Sequence, residues 1–442
     1  YGDAVMKTPA FDRIAREGAL FNYAFCAAPS CTASRGAILT GLAPHQLESG
    51  GNLWSTLPAK FETFPDTLER AGYFVGLMGK GWGPGDVKSG GRTRNPAGPP
   101  FKSFEAFLEK RPPGKPFCFW FGSVDPHRPY ERGTGTDAGL DANKVRVPAF
   151  WPDKPEVRED MLDYYFEVER LDRNVTALIA TLEKRGELEN TVIIYTSDNG
   201  MPFPRAKANL YDAGTRMPLA IRWPGKTKPG TKVDAFVNLY DLAPTILELS
   251  GVAAKTNMTG RSIVPLLTGS VVGSGRESVF VERERHANVR AGDLSYPSRA
   301  VRSKDYLYIR NFAPDRWPAG DPVMWKAVGE FGDCDNGATK SFILEHREQE
   351  WAGRFFDLCF GMRPGEEFYD LRNDPDQLTN VVKRSEFGVT VTKHREWLAN
   401  WMKQTADPRA IDPADDRWDR YEYFGDAKRM PPKTEGASST KP

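Results

Sequence analysis

The sequence predicts an α/β protein: a large mixed, mostly parallel sheet sandwiched by helices, with a smaller C-terminal α+β domain carrying an antiparallel sheet. Three observations predict it. From Tyr1 to about Pro224, helical periods alternate with short apolar runs. One of those runs passes directly into polar Ser197-Asp198-Asn199-Gly200, and the carboxyl ends of strands are where open sheets bind ligands. After about Arg290 the texture changes to closely spaced strand pairs and loops rich in Trp and Arg.

The elements follow in order. Thr8 is read as an N-cap and Pro9 as the first helical residue, with a helix over Ala10 to Leu20 that keeps Phe11, Ile14 and Ala15 on one side. Phe74 to Met78, Phe117 to Gly122 and Val192 to Thr196 are short apolar runs expected to be buried strands. Asp163 to Glu183 has the period of a long amphipathic helix, and Asp241 to Leu249 that of a shorter one. Ser298 to Val301, Tyr306 to Ile309 and Glu366 to Leu371 are expected strands of the second domain, and His394 to Thr405 its closing helix. The expected division is 1–290 and 291–442, with a tail from about Lys428 that is loosely ordered.

Composition narrows the class. A hydrophobic share of 40% and a charged share of 27% over 442 residues exclude disordered and fibrous chains. The 41 Gly and 35 Pro imply many structured loops. With 60 Lys+Arg against 59 Asp+Glu there is no global field to draw nucleic acid, so an anionic ligand has to be held by local groups. No run of 18 apolar residues spans a membrane. Five cysteines at irregular spacing make neither a disulfide framework nor a zinc site. The start at Tyr1, neither an initiator methionine nor a signal peptide, leads us to expect a mature or trimmed product.

The most informative stretch is Pro29-Ser30-Cys31-Thr32-Ala33-Ser34-Arg35-Gly36-Ala37-Ile38-Leu39-Thr40-Gly41. Cys31 and Arg35 alone describe a buried thiol and a packing residue at a helix start. The whole string resembles the sulfatase signature C-x-P-S-R-x-x-x-L-T-G, and the resemblance runs from Thr8-Pro9 to about Asp407. Leu77-Met78-Gly79-Lys80 is similar to the family's Gly-Lys motif, Asp125-Pro126-His127-Arg128 to its leaving-group histidine segment, and Asp198-Asn199 to its metal-binding pair. Lys207, four residues before Tyr211, stands where the family has a second sulfate-binding cation. Within the family the sulfamidases are most alike, through Asp198-Asn199-Gly200-Met201-Pro202-Phe203-Pro204, Asn209-Leu210-Tyr211, Ser295-Tyr296-Pro297-Ser298-Arg299 and Phe368-Tyr369-Asp370-Leu371.

The resemblance implies an alkaline-phosphatase-like sheet and a set of roles. Cys31 would be oxidised to formylglycine, whose aldehyde hydrate is the nucleophile and a metal ligand, with Arg35 orienting it. Lys80 and Lys207 would hold sulfate oxygens and His127 would reach the leaving atom. Asp198 and Asn199 would bind a metal, and their hard oxygens suit Ca²⁺ or Mg²⁺ and not zinc. Trp82, Arg128, His286, Tyr296 and His45 are the expected substrate contacts or pocket borders; His346 and His394 are expected at the surface. The run Arg283, Arg285, Arg290, Arg299 and Arg302 reads as a solvated face that could also meet an anionic sugar polymer.

The chemistry explains the combination. Attack at sulfur moves charge onto the bridging atom, so cations and a divalent metal against the other oxygens stabilise the transition state by several kcal/mol in a dry site. A Ser or Cys nucleophile would leave a stable adduct, whereas the hydrate's second hydroxyl can expel sulfate. Three departures stand out. The family's paired aspartates from the opening strand do not occur and are expected upstream of Tyr1. Ala33 replaces the commoner Pro, a form matured by anaerobic radical enzymes, so the maturation partner is either such an enzyme or a formylglycine-generating enzyme. Trp82 replaces the family's sulfate-release base, and an indole accepts no proton; either release is slow, or one of the two motif histidines, His127 before His45, takes over, or Trp82 stacks on a sugar and another group serves.

The expected activity is therefore hydrolysis of sulfate from a sulfated oligosaccharide or polysaccharide, of the N-sulfoglucosamine type or an O-sulfated glycan, in a periplasmic or secreted setting. The alternatives are a phosphomonoester or phosphodiester hydrolase of the same superfamily and an inactive glycan-binding homologue.

Overall fold

The computed structural model describes residues 2–270, 276–323 and 329–425, so the tail expected from Lys428 lies outside the described residues. Helix α1 spans Pro9–Glu17 with Thr8 at its N-cap and Pro9 at N1. Thr8 makes no side-chain cap bond. Instead, Asp172, on the 30-residue helix Pro155–Lys184, accepts from the amides of Ala10 (2.8 Å) and Phe11 (3.0 Å). α1 ends before Gly18, where a Cβ would lie 2.1 Å from the Ile221 carbonyl oxygen. Ala19 and Leu20, expected in the helix, instead open strand β1, Ala19–Phe25.

β1 is the centre of the main sheet, and Phe21 and Phe25 on it are fully buried, each worth roughly 1.5–3 kcal/mol of burial. The parallel pair β2 (Phe74–Gly79) and β3 (Phe117–Gly122) runs in register from Phe74↔Phe117 to Gly79↔Gly122. β4 is Ile193–Thr196, β5 Arg216–Met217, β6 Leu219–Arg222 and β7 Thr231–Asn238. The order is β4-β6-β1-β5, with β7 on β1 as well. β7 pairs parallel with β1, while β5 and β6 run antiparallel to it through Ala24↔Met217 and Leu20↔Ala220, and β4 is antiparallel to β6. The sheet is thus mixed, its antiparallel share coming from the β5–β6 return that no local sequence pattern announced.

β3 and β4 were expected to be buried, yet both are half-exposed along their whole length. The reason is a cleft of about 1750 Å³ lined by both strands, which reaches Cys31 and Asp198 at one end. The second sheet is antiparallel, in the order β11-β10-β9-β8, built from β8 (Ser278–Arg283), β9 (Ser298–Ser303), β10 (Tyr306–Asn311) and β11 (Glu366–Asp370). β8 lies inside the stretch 1–290 expected for the larger unit. The closing helix is Gly388–Gln404, longer than expected, and packs Val391, Leu398 and Trp401 on Val301, Tyr308 and Phe368.

Candidate active site

Helix α2, Cys31–Thr40, is buried on all sides and starts at Cys31, with Ser30 as its extended N-cap residue and left-handed Gly41 (φ 72°) ending it. Arg35 follows Cys31 by one turn, so both side chains share a face. The Arg35 Nε donates to Asp198 Oδ2 at 2.7 Å, and its Nη1 donates to the carbonyls of Lys80 and Gly81, both at 2.8 Å. Ser34 Oγ donates to the Asp198 carbonyl, and Asn199 Nδ2 lies 3.5 Å from Cys31 Sγ. The start of α2 and the carboxyl end of β4 are therefore bolted together.

Lys80 follows β2, and its amide donates to the Gly122 carbonyl at 2.6 Å. A side chain at 122 would collide with the Lys80 carbonyl, its Cβ lying 1.8 Å away, so glycine is required for that approach. Lys207 is carried by a loop tied to the signature through Ala208 N donating to the Pro29 carbonyl at 2.8 Å. Its Nζ donates to Asp335 Oδ2 at 2.7 Å and lies 3.4 Å from His127 Nε2. The His127 Nδ1 sits 2.6 Å from the Arg128 carbonyl. Cys31, Arg35, Lys80, His127, Asp198, Asn199 and Lys207 all line the one cleft.

The electrostatics are those of an anion site. Burial alone would push the Asp198 carboxyl up, but the charges of Arg35, Lys80 and Lys207 outweigh it and hold it at about 2. Lys207 is pushed up despite its burial, chiefly by Asp335, so it stays charged. Burial and then the Lys207 charge push His127 down, favouring neutral imidazole.

Several expected residues are elsewhere. Trp82 is only 3% exposed and packs in the core with Leu47 and Leu57, so it offers no face to a sugar. The Arg128 guanidinium is held by both oxygens of Asp160, at 2.8 and 2.7 Å, and by the Pro202 carbonyl. Tyr296 is buried against Arg283 and Arg290. His286 is buried behind the signature, 2.9 Å from Ser30 Oγ, and burial lowers it to about 3. His45 is enclosed, its Nδ1 2.8 Å from Glu282. His394, expected at the surface, is buried against Ser303. The arginine run is no solvated face, because all five side chains are buried in ion pairs or on carbonyls. Arg283 ends β8, Arg299 and Arg302 lie on β9, and Arg285 and Arg290 follow β8, and each charge meets a fixed partner. Asp335 was missed; its only local signal is the polar turn Asp333-Cys334-Asp335-Asn336-Gly337.

Asp198 and Asn199 supply hard oxygens fit for Ca²⁺ or Mg²⁺, and the adjoining cleft leaves room for more ligands. A second group, His45, Glu282 and Asp407, has ligand atoms close together. Arg299 fills the space between them, its Nε 3.0 Å from Glu282 Oε2 and 2.7 Å from Asp407 Oδ2. A cation there would meet a guanidinium, so this is an ion-pair network.

Comparison with known proteins agrees with this geometry. The sulfatase family model matches residues 1–89 and 100–252, and a model described as N-sulphoglucosamine sulphohydrolase, C-terminal, matches 205–321. Human N-sulphoglucosamine sulphohydrolase is 29% identical over 93% of this chain and 88% of its own length. An ulvan-active sulfatase of Formosa agariphila is 26% identical over 92% of this chain and 72% of its own. Among solved structures, one in complex with its substrate D-glucosamine-2-N,6-O-disulfate superposes with a TM-score of 0.65 at 20% identity, covering 96% of both chains. The phosphonate monoester hydrolase of Agrobacterium radiobacter also has a TM-score of 0.65, at 16% identity over 91% and 92%; at such identity these two attest the fold alone. With its family model spanning more than half the sequence and holding Cys31, Lys80, Asp198 and Lys207 together, the chain belongs to the sulfatase family.

Proposed function

We propose that the protein releases sulfate from a sulfated amino sugar, N-sulfoglucosamine or a glucosamine O-sulfate in a glycan, using Cys31 matured to formylglycine and Ca²⁺. The observation that carries this reading is the convergence of three cations and a cysteine at a helix start around one carboxylate. The match to the sulphohydrolase C-terminal model and the similarity to the human enzyme support the amino-sugar substrate.

In this reading the matured side chain would supply a hydrate nucleophile, and Asp198 and Asn199 would hold a divalent metal whose charge would offset that of the sulfate. Arg35 keeps Asp198 ionised and aimed, through the 2.7 Å bond. Lys80 and Lys207 bind the remaining sulfate oxygens. The proton on His127 belongs on Nδ1, because the Arg128 carbonyl can only accept, which leaves Nε2 as the acceptor facing the cleft. His127 thus takes the acid–base duty that Trp82, in the core, does not. Asp335, from the segment beyond residue 290, reaches the site by accepting from Lys207, and we expect a periplasmic or secreted setting.

The test is to co-express the chain with a formylglycine-generating or anaerobic sulfatase-maturing enzyme. The Cys31 peptide should lose about 18 Da, where thiol oxidation would add mass. The matured protein should then desulfate N-sulfoglucosamine or glucosamine 6-sulfate faster than it cleaves an aryl phosphate. A matured protein that prefers the phosphate, or binds glycan with no sulfate release, refutes the reading.

A further inference from the structure

We propose that Asp335 is a positioning residue of this site: it fixes the Lys207 ammonium so that a second N–H of that group faces His127 Nε2, giving an Asp335–Lys207–His127 relay. The inference rests on the sulfatase reading for its use and on side-chain geometry for its existence. Lys207 Nζ has three N–H donors on a flexible four-carbon stem. One is spent on Asp335 Oδ2 at 2.7 Å, and a second approaches His127 Nε2 at the long distance of 3.4 Å. The third is left for a ligand.

Asp335 is itself fixed from both sides. Two residues before it, Asp333 is held by Arg283 and Arg290. After it, Lys340 Nζ donates to the Cys334 carbonyl (2.9 Å) and to Asn336 Oδ1 (3.0 Å). A carboxylate mounted so rigidly selects one Lys207 conformer out of many. It also offsets part of the ammonium charge that bears on the imidazole. Among the other charged groups near His127, Lys80, beyond β2, pushes its affinity for a proton down, Arg128 on the same loop is committed to Asp160, and Asp125, two residues before it, is committed to Arg170. Asp335 is the carboxylate that raises it.

The relay has a signature of opposite signs. In Asp335→Asn the ammonium stays and its counter-charge goes, so the midpoint of His127 should fall. In Lys207→Met the cation goes, so the midpoint should rise. Shifts of about one pH unit are expected for each, as for charges a few ångströms away. The chain has only five histidines, so ¹⁵N-histidine NMR, with His127→Gln for assignment, reads the titration without turnover. Asn keeps the acceptor oxygen and the shape, and Asp335→Glu should restore the midpoint. With an aryl sulfate and matured protein, Asp335→Asn should lower kcat about tenfold, move its acid limb to lower pH and change KM less than threefold. A His127 midpoint in Asp335→Asn within 0.2 units of the parent, taken as roughly the resolution of the method, overturns the relay even if sulfate is released. Opposite midpoint shifts with no sulfate release by the matured parent uphold the relay and overturn the function.

Discussion

Replacing Arg299 by methionine should destabilise the packing of β8 and β9 on the segment that follows the closing helix, by an amount that shrinks in acid. Arg299 is fully buried and its guanidinium meets three carboxylates: Asp407 at 2.7 Å, Glu284 at 2.8 Å and Glu282 at 3.0 Å. Two more cations close the group, Arg409 on Glu284 at 2.8 Å and His45 on Glu282 at 2.8 Å. With His45 protonated, three positive and three negative charges balance in a dry space. Methionine fills similar volume but leaves one negative charge unmatched, and removing one partner of a buried pair costs about 3–5 kcal/mol. That is a large part of the ~5–15 kcal/mol that holds a domain folded.

The pH dependence follows from two shifts of opposite kind. Asp407 is pushed up by burial but held at about 2 by Arg299 and His45, so its contribution is present above its unfolded value near 4 and is lost as pH falls through 2. His45 is pushed down by burial but raised overall by Glu282, so its contribution is present below about 6.5 and is lost as pH rises through its folded value. The parent network is therefore strongest between about pH 4 and 6.5. Urea unfolding followed by tryptophan fluorescence suits the test, since Trp401 packs on His45 and Trp418 lies by Arg299. The deficit of Arg299→Met should be about 3–5 kcal/mol at pH 7 and smaller at pH 4.5, where the spare carboxylate can take up a proton. A deficit below about 1 kcal/mol, or one unchanged with pH, would show that these charges are solvated and the reasoning fails.

Three further outcomes are expected. Cys31→Ala should abolish sulfate release and leave thermal unfolding nearly unchanged, since a small buried side chain is exchanged for a smaller one; retained turnover would remove the mechanism. Trp82→Ala should cost about 3–5 kcal/mol, whereas Trp82→Phe, which deletes an indole N–H that has no acceptor among the described residues, should fold within about 1.5 kcal/mol of the parent and keep its turnover of an aryl sulfate. Asp172→Ala removes both bonds that cap α1 and should lower stability by about 1 kcal/mol, read from the urea midpoint at neutral pH.

Much of the candidate site was legible because the strings that carry the resemblance to the sulfatase family are local. Arg35 stands four positions after Cys31, about one helical turn, Asp198-Asn199 follows a strand after one intervening residue, and Gly79 precedes Lys80 at a strand end; such periods survive in any chain that forms the element. The same local rules placed Thr8 and Pro9 correctly at the start of α1, yet the cap itself comes from Asp172, more than 160 residues away. Burial and partners could not be read in this way. Trp82, Tyr296, His45 and Arg128 resemble binding residues by type, and only the meeting of distant segments turned them inward: His45 finds Glu282 237 positions along the chain, and Lys207 finds Asp335 after 128. The sequence by itself determined several of the elements, among them β2, β3, β4, β9, β10 and β11, and the motifs at their ends. Which charges neutralise one another, and hence which remain free for a sulfate, was decided by the tertiary structure, because an ion pair's energy depends on distance and burial and neither is a property of position in the chain.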